Sequence, residues 1–235
     1  MQTDIDTLYS AGAHFGYTRA RRHPSASPFI FATRDQTDIF DLEQTARRLE
    51  SALGFVEELG RSGGQILFVS GKNEAIATVR AAAERAGTPF CAGRWIGGTL
   101  TNFKNIRKRL DRLEKLSEER ERGELEKYTK RERLLIDREI VELTARFGGL
   151  VALHKEPAAL FVVDTRHEDT AVREANQLKI PVIGLSSSDC DFARIAYPIP
   201  ANDTSAKSVR LVVDRVAEAY LNGKKAQPKQ TAPQA

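Results

Sequence analysis

Short runs that are apolar at nearly every position recur along the chain and alternate with stretches of helical periodicity. The runs QILFVSG, AALFVVD and IPVIGLS are the clearest, and TPFCAG and YPIP are shorter examples. Helical spacing follows the first run over 73–86, and EDTAVREANQLK continues this alternation between the second and third. A strand that is apolar on both sides has to be covered on both faces, as in a parallel sheet flanked by helices. The pattern therefore predicts an α/β fold.

The two ends of the chain extend this pattern. FIFAT (29–33) and DIFDL (38–42) are β-rich and are separated by RDQT, which predicts a hairpin. Apolar residues at helical spacing predict a helix over 43–64 that stops at glycines, and TSAKSVRLVVDRVAEAYLNG predicts a last amphipathic helix. The residues from 223 to 235 are rich in Lys, Gln and Pro and are predicted to be a disordered tail.

One charged region, 102–147, interrupts the alternation. It carries no strand signal, and its apolar residues form two narrow seams at spacings of three and four with Gly123 between them. This pattern predicts an antiparallel helical hairpin, each arm roughly 30 Å long, that buries little except its partner arm. The predicted organisation is a globular α/β domain over 1–101 and 148–222 with the hairpin inserted. The seam residues are Ile106, Leu110, Leu113 and Leu116, then Ile136, Ile140, Leu143 and Phe147.

Composition narrows the functional classes. The 235 residues are 41% hydrophobic, which is enough for a full core, and no run approaches the roughly 18 apolar residues of a membrane span. The N-terminal segment lacks the pattern of a signal peptide, so a cytoplasmic location without membrane contact is expected. Cys91 and Cys190 are expected to be reduced packing residues. A net charge of +4 is modest support for a polyanionic partner.

Patterns for catalysis and cofactor binding are weak. VSGKNEA resembles a phosphate-binding loop only at Gly71 and Lys72, because Ile66 and Asn73 occupy places that need Gly and Ser or Thr. GRWIGG has the wrong glycine spacing for a dinucleotide site. In DTRHEDT a metal site is conceivable, but Thr165 or a neighbour capping a helix is the favoured interpretation. The sequence thus predicts no enzyme, cofactor, metal or small-molecule substrate.

Four segments carry a resemblance to a known family. They are LYSAGAHFG (8–16), RWIGGTLTN (94–102), PAALFVVDTRHEDTAVREANQLKIPV (157–182) and IPAND (199–203). Through them the chain, over about residues 5–222, resembles the bacterial type of the small-subunit ribosomal protein S-two family. The resemblance implies a flavodoxin-like parallel sheet with a protruding coiled-coil hairpin. The segment 186–195 departs from the family's pattern.

The resemblance also implies a function. It implies a structural constituent of the 30S subunit that binds 16S-type ribosomal RNA and supports subunit assembly and translation. Neighbouring small-subunit proteins, and the mRNA-binding protein S-one, are the expected protein partners. The alternative is a flavodoxin-like enzyme or sensor that holds a phosphorylated small ligand over Gly97 and Gly98. That alternative gives no role to the charged hairpin or to the basic arm TRARRH.

The predicted RNA-binding residues fall into two main groups. One is the basic arm, expected to be a flexible loop that orders on RNA. The other surrounds RWIGGTLTNFKNIRKRL, where glycines permit close backbone approach and free N–H groups at a helix N-terminus would face phosphates. Trp95 could stack on a base or pack internally, and packing is favoured. The full predicted set is Arg19, Arg21, Arg22, His23, Lys72, Arg94, Trp95, Gly97, Gly98, Thr101, Asn102, Lys104, Asn105, Arg107 and Lys108.

Overall fold

The structure is a computed structural model, and it describes residues 5–227. Helices and strands alternate along this part of the chain. In chain order they are α1 (Ile5–Ser10), β1 (Phe15–Thr18), β2 (Ile30–Arg34), β3 (Thr37–Phe40), α2 (Leu42–Arg61), β4 (Ile66–Ser70), α3 (Asn73–Ala86), β5 (Phe90–Ala92), α4 (Phe103–Glu121), α5 (Lys130–Phe147), β6 (Ala159–Val163), α6 (Asp169–Gln177), β7 (Val182–Ser186), β8 (Tyr197–Pro200) and α7 (Ala206–Lys225).

The central sheet has five parallel strands in the order β5-β4-β6-β7-β8. Counted within the sheet, this is the order 2-1-3-4-5 of flavodoxin-like folds. The predicted α/β class is confirmed. From β4 the sheet grows to one side with β5 and then to the other side with β6, so the crevice at the carboxyl ends of β4 and β6 is where such folds usually bind ligands.

Alternate residues of each central strand enter opposite layers of the core. In β4, Ile66 and Phe68 pack with α2, α3 and α7, whereas Leu67 and Val69 pack with α4 and α6. The three central strands β4, β6 and β7 are buried at every position. Both faces of the sheet are therefore covered, which explains why the strand sequences are continuously apolar instead of alternating.

The predicted hairpin forms β2 and β3, and a third strand completes a small antiparallel sheet. Its order is β1-β3-β2, and the turn residues Asp35 and Gln36 have φ values of 45° and 61°. Strand β1 was not predicted, because its sequence FGYT is short and contains a glycine. This sheet positions the basic arm, which lies between β1 and β2.

The charged region forms the helix pair α4 and α5, and its apolar seams have two different partners. Leu113, Leu116 and Ile140 pack between the two helices. Ile106 and Phe147, at the base, belong instead to the core against the central sheet. The expectation that the seams bury little except the partner arm is therefore wrong for the base of the pair. Gly123 has a φ of 72° just after α4, near the predicted reversal.

The last helix continues through the residue at which it was expected to stop. Helix α7 runs to Lys225, so residues 223–225 of the predicted tail are helical. A Cβ on Gly223 would lie 2.0 Å from the Glu57 carbonyl oxygen, and one on Gly60 would lie 2.5 Å from the Tyr220 carbonyl oxygen. Gly223 is thus a contact point between α2 and α7. Residues 228–235 of the predicted tail lie outside the described residues.

The longest helices are amphipathic. Helices α2 and α7 each have 20 residues and bury one side, with Leu49 and Val56 on the first and Val209 and Val216 on the second. Their other sides carry charged residues. Among residues 5–227, no helix is long and apolar enough to cross a membrane.

Candidate nucleic-acid interface

The glycine-containing segment ahead of α4 wraps around a carboxylate of the protein itself. Oε1 of Glu174 accepts hydrogen bonds from Trp95 Nε1 (3.1 Å) and from the Gly98 amide (2.8 Å). Its Oε2 accepts from the amides of Leu100 (3.0 Å) and Thr101 (3.1 Å) and from the Thr101 hydroxyl (3.2 Å). Glu174 thus occupies the place predicted for an external phosphate. The expectation that these N–H groups face RNA is wrong in this structure.

The surroundings of Glu174 keep it ionised. Burial opposes its charge, but the hydrogen bonds from Trp95, Gly98, Thr101 and Leu100 outweigh that effect and lower its pKa below the usual value. Gly98 has a φ of 87°, a conformation that favours glycine, and this directs its amide to the carboxylate. Trp95 is 8% exposed and packs in the core beside the sheet. Its indole is therefore a packing anchor, and base stacking is not supported.

The crevice between the carboxyl ends of β4 and β6 is also filled from within. Glu168, which is 3% exposed, accepts a hydrogen bond from the Gly71 amide at 2.7 Å and contacts His167 Nδ1 at 2.7 Å. A Cβ on Gly71 would lie 2.8 Å from Glu168 Oε1 and 2.9 Å from the Gly93 carbonyl oxygen. A side-chain carboxylate and backbone thus occupy the site where a flavodoxin-like protein would bind a phosphorylated ligand. This arrangement argues against the small-ligand alternative.

Lys72 is committed to an internal ion-pair network. Its Nζ lies 3.0 Å from Asp164 Oδ2 and 3.0 Å from Asp203 Oδ1. Burial would lower the pKa of Lys72, but the two carboxylates together raise it above its usual value. For Asp203, burial is the main cause of a pKa raised to about 7. The predicted phosphate contact of Lys72 is therefore not supported.

Cys190 extends this network without making it a convincing cation site. Possible ligand atoms of Asp164, Cys190 and Asp203 lie within 4.8 Å of one another. However, the Lys72 ammonium already pairs with both carboxylates, and burial raises the pKa of the Cys190 thiol to about 12. A metal ion would have to displace the lysine and ionise that thiol, so the group is best described as a structural ion-pair network.

The segment DTRHEDT is a turn that leads into α6. Asp164 accepts a hydrogen bond from the His167 amide at 3.0 Å, and Asp169 lies in the first turn of the helix. Thr165 does not cap the helix, because its hydroxyl contacts the Ser186 hydroxyl at 2.8 Å. The N-cap position is Glu168, which makes no side-chain cap hydrogen bond, and the Asp164 contact closes the turn before the helix, so the capping interpretation is wrong.

Exposed polar groups remain near the start of α4. Thr101, Asn102, Lys104 and Lys108 line a cleft of about 630 Å³, and both lysine side chains are exposed. Arg94 and Asn105 are exposed as well. Arg107 also lines the cleft, but its guanidinium bonds to Asp111 (2.6 Å), to Glu114 and to the carbonyl oxygens of Val151 and Leu153. Arg107 therefore connects α4 to the segment after α5, which does not support its predicted phosphate contact.

The basic arm is a folded segment rather than a flexible loop. It contains one 3₁₀ turn, Arg19–Arg21, and leads directly into a second, Pro24–Phe29. Arg22 bonds to the fully buried Asp38 and, at 2.8 Å, to the Thr33 hydroxyl, so it anchors the arm. Arg19 is exposed and Arg21 is half-exposed. His23 Nδ1 contacts Ser25 Oγ at 2.8 Å.

Two of the family-like motifs also contact each other. The Asn202 amide donates to the Ala13 carbonyl oxygen (2.9 Å), and its side chain donates to the Gly12 carbonyl oxygen (3.1 Å). IPAND therefore joins LYSAGAHFG, as Glu174 of the third motif joins RWIGGTLTN. These contacts show that the motifs contribute to the fold through internal hydrogen bonds.

Two arginines beside the arm were missed by the sequence analysis. Arg166 follows β6, and its Nη1 lies 2.8 Å from Asp189 Oδ2. Arg194 lies 2.7 Å from Asp169. The position of Arg166 after an apolar strand was a usable signal, because ligands in α/β folds gather at that end of the sheet. Arg194 lies in 186–195, a segment for which the sequence offered no such signal.

Comparison with known proteins identifies the family. The family model described as Ribosomal protein S2 matches residues 8–223. Small ribosomal subunit protein uS2 of Roseiflexus castenholzii is 42% identical over 217 residues, covering 92% of this chain and 82% of that protein. The protein of the same name from Coprothermobacter proteolyticus is 39% identical over 220 residues, covering 94% of this chain and 82% of that protein. By the extent of these matches, the chain belongs to the ribosomal protein S2 family.

Proposed function

We propose that this protein is a structural constituent of the small ribosomal subunit that binds 16S-type ribosomal RNA and supports subunit assembly and translation. The observation that carries the proposal is the contrast between its inner and outer charges. The glycine segment ahead of α4 and the crevice at Gly71, the two places considered for a small phosphorylated ligand, are filled by Glu174 and Glu168. Cations such as Lys104 and Lys108 remain on the surface, where an extended polyanion can reach them.

The RNA-binding surface follows from this contrast. It consists of residues at the start of α4 and on the basic arm that are exposed or partly exposed, whereas the internally bonded members of the predicted set hold the surface in place. Such a surface reads phosphate position and RNA shape rather than base sequence. The residues proposed to contact RNA are Arg19, Arg21, His23, Arg94, Asn102, Lys104, Asn105 and Lys108.

The proposed organisation assigns the helix pair to contacts beyond the globular part. Among the described residues, 5–101 and 148–225 make up the globular part, because α7 continues to Lys225, and 102–147 make up the helix pair. The 19 residues of α4 span roughly 28 Å. Leu134, Leu135 and Val141 are exposed on α5, which supports contacts between this helix pair and neighbouring small-subunit proteins. The mRNA-binding protein S-one is included among the partners on the family resemblance alone.

The proposed surface can be tested with a charge-removal pair. In Lys104→Ala/Lys108→Ala, we expect about tenfold weaker binding to 16S ribosomal RNA and a salt-dependence slope shallower by about one to two, since two phosphate contacts are lost. The matched control is Lys207→Ala/Arg210→Ala on α7, across the sheet from α4. Filter binding at several salt concentrations measures both quantities. If the double variant, the control and the unmodified chain all show the same affinity and the same slope, Lys104 and Lys108 do not contact the RNA.

The function itself is tested by assembly. The full chain should co-sediment with 30S particles and be recovered in one copy per purified small subunit. A chain that remains wholly in the ribosome-free fraction would overturn the proposed function.

A further inference from the structure

A cleft of about 410 Å³ lies between the basic arm, the turn after β6 and the segment after β7. We refer to it as the arginine cleft, defined by Arg21, Arg166 and Arg194 together with His23 and the carboxylates Asp169 and Asp189. These residues come from three distant parts of the sequence. Only folding brings the three arginines to one site.

Carboxylates hold the arginines in place. These contacts use only some of the N–H donors of each guanidinium group. Arg21 and Arg166 bond to the same atom, Asp189 Oδ2, at 3.0 and 2.8 Å. The Asp189 side chain is 3% exposed, whereas those of Arg21 and Arg166 are 51% and 55% exposed. A guanidinium has five N–H donors, so most donors of both groups remain available. The buried carboxylate thus orders two guanidinium groups whose outer donors are free to bind an anion.

Two further contacts strengthen this ordering. The Arg21 guanidinium carbon lies 4.1 Å from the centroid of the Tyr17 ring, a cation–π distance. Arg194, whose side chain is 34% exposed, is held by Asp169 at 2.7 Å. Ordered arginines lose less conformational entropy when they bind an anion than free side chains do. The cleft is therefore prearranged for an anionic group.

The charge and lining of the cleft define the ligand class. Four arginines and three aspartates line it, and Asp38 and Arg173 are bonded to lining residues, so these groups together carry one excess positive charge when His23 is neutral. One phosphodiester group carries one negative charge and accepts hydrogen bonds from planar guanidinium groups. Small-molecule pockets are mainly apolar, whereas the lining here is mostly charged. These properties fit a phosphate of a nucleic-acid backbone better than an enclosed metabolite.

We propose that the arginine cleft binds a phosphodiester group of RNA through Arg21, Arg166 and Arg194. This inference rests on the proposed function and extends the RNA-binding surface to Arg166 and Arg194. A free phosphate or a nucleotide has related chemistry and could enter the same cleft, so the experiment has to separate these sources.

The test uses the full chain and the variant Arg166→Ala/Arg194→Ala. We expect about tenfold weaker binding of 16S ribosomal RNA and a salt-dependence slope shallower by about one to two, because two phosphate-binding cations are removed. The matched control is Lys207→Ala/Arg210→Ala on α7, which also removes two exposed cations but does not line the cleft. The control should change affinity less than about twofold. Arg166→Lys keeps the charge and loses the forked geometry, so it should give an intermediate loss.

The results distinguish failure of the cleft proposal from failure of the proposed function. If the unmodified chain binds the RNA and the double variant binds equally well, the cleft proposal is wrong and the proposed function stands. If the unmodified chain does not bind the RNA at all, the proposed function fails and the cleft proposal fails with it. A far-ultraviolet thermal unfolding curve establishes that the double variant is folded, and Arg166→Lys carries the test if it is not.

A second experiment distinguishes RNA from small phosphorylated ligands. Inorganic phosphate and adenosine 5′-monophosphate are titrated into the unmodified chain and the double variant by calorimetry. Under the proposal neither gives a binding signal below about 1 mM, since a single isolated phosphate contact is weak. Tight binding of the monophosphate that is lost in the double variant, with RNA affinity unchanged, would assign the cleft to a small ligand and overturn the proposal.

Discussion

At the scale of single residues, buried carboxylates occupy the places where external anions were expected. Glu174 accepts from three backbone amides, one hydroxyl and the Trp95 indole, and Glu168 accepts from the Gly71 amide. Free N–H groups near a helix N-terminus attract any anion, whether it is a ligand or a side chain of the same chain. In this protein the side chain is part of the fold, so the glycines before α4 serve stability.

Replacing Glu174 should therefore destabilise the protein strongly. In the unmodified chain both oxygens of Glu174 accept hydrogen bonds. In Glu174→Gln one oxygen is replaced by an N–H₂ group, which faces N–H donors and cannot accept from them. Because the Leu100 amide is buried, we expect a loss of about 2–4 kcal/mol in the free energy of unfolding, measured by urea denaturation. The matched control is Glu84→Gln, on the exposed face of α3. Equal midpoints for the two variants would contradict the role of Glu174.

The same substitution has a predictable pH dependence. The folded-state pKa of Glu174 lies below its ordinary value of 4.5, so its ionisation stabilises the folded state. That contribution is fully present above the unfolded pKa and is lost as pH falls through the folded pKa. The difference in stability between the unmodified chain and Glu174→Gln should accordingly be constant near pH 7 and shrink below about pH 4.5. A difference that grows as the pH falls would show that folding raises the pKa of Glu174 instead of lowering it.

At the scale of elements, the packing of α2 against α7 depends on two glycines. Gly60 and Gly223 leave no room for a Cβ, so the two helix backbones approach closely at this crossing. The sequence suggested an end of the helix at Gly223, since glycine commonly follows a helix. The close approach explains why a glycine lies inside this helix, which continues to Lys225.

Substitution at this crossing should be costly. In Gly223→Ala the new Cβ would lie 2.0 Å from the Glu57 carbonyl oxygen, and we expect a loss of about 1–3 kcal/mol or more in unfolding free energy. Gly54→Ala is the control on α2, because a Cβ there meets nothing within 4 Å. That variant should be neutral or more stable by about 0.5–1 kcal/mol. Similar urea midpoints for the two variants would rule out the close approach.

At the scale of the whole molecule, the two cysteines report on how cooperatively the globular part unfolds. Cys91 packs in the core beside the central sheet, and Cys190 packs in a separate cluster with Phe29, Phe40 and Phe192 beneath the basic arm. Burial raises the pKa of each thiol to about 12. Both thiols are thus protected from alkylation while their surroundings remain folded.

Labelling with iodoacetamide should be slow in the folded protein and fast in urea. If the basic arm and the central sheet unfold together, both cysteines should react at one common rate. Mass spectrometry of the peptides that contain each cysteine measures the two rates. The single variants Cys91→Ser and Cys190→Ser provide the controls for peptide assignment. Faster labelling of Cys190 than of Cys91 would show that the arm opens separately, contrary to this expectation.

Much of the fold was predictable because it follows from local patterns. Helix α3 was predicted at its observed bounds of 73–86, and the five strands of the central sheet were predicted from apolar runs. Short β1 was missed, since four residues that include Gly16 give little signal. The site was less predictable: Lys72, Arg107 and Glu174 have partners far away in sequence, and spacing along the chain does not reveal such pairs.

The sequence by itself determined the α/β class, the approximate positions of most strands and helices and the resemblance to a family, because periodicity and motifs are local properties of a chain. Only the tertiary structure decided which charges face inward and which remain exposed. Lys72 lies between Asp164 and Asp203, whereas Arg166 and Arg21 share Asp189 at an open cleft. All three are cations beside carboxylates, and burial separates the structural ion pair of Lys72 from the exposed arginines that we propose as RNA contacts.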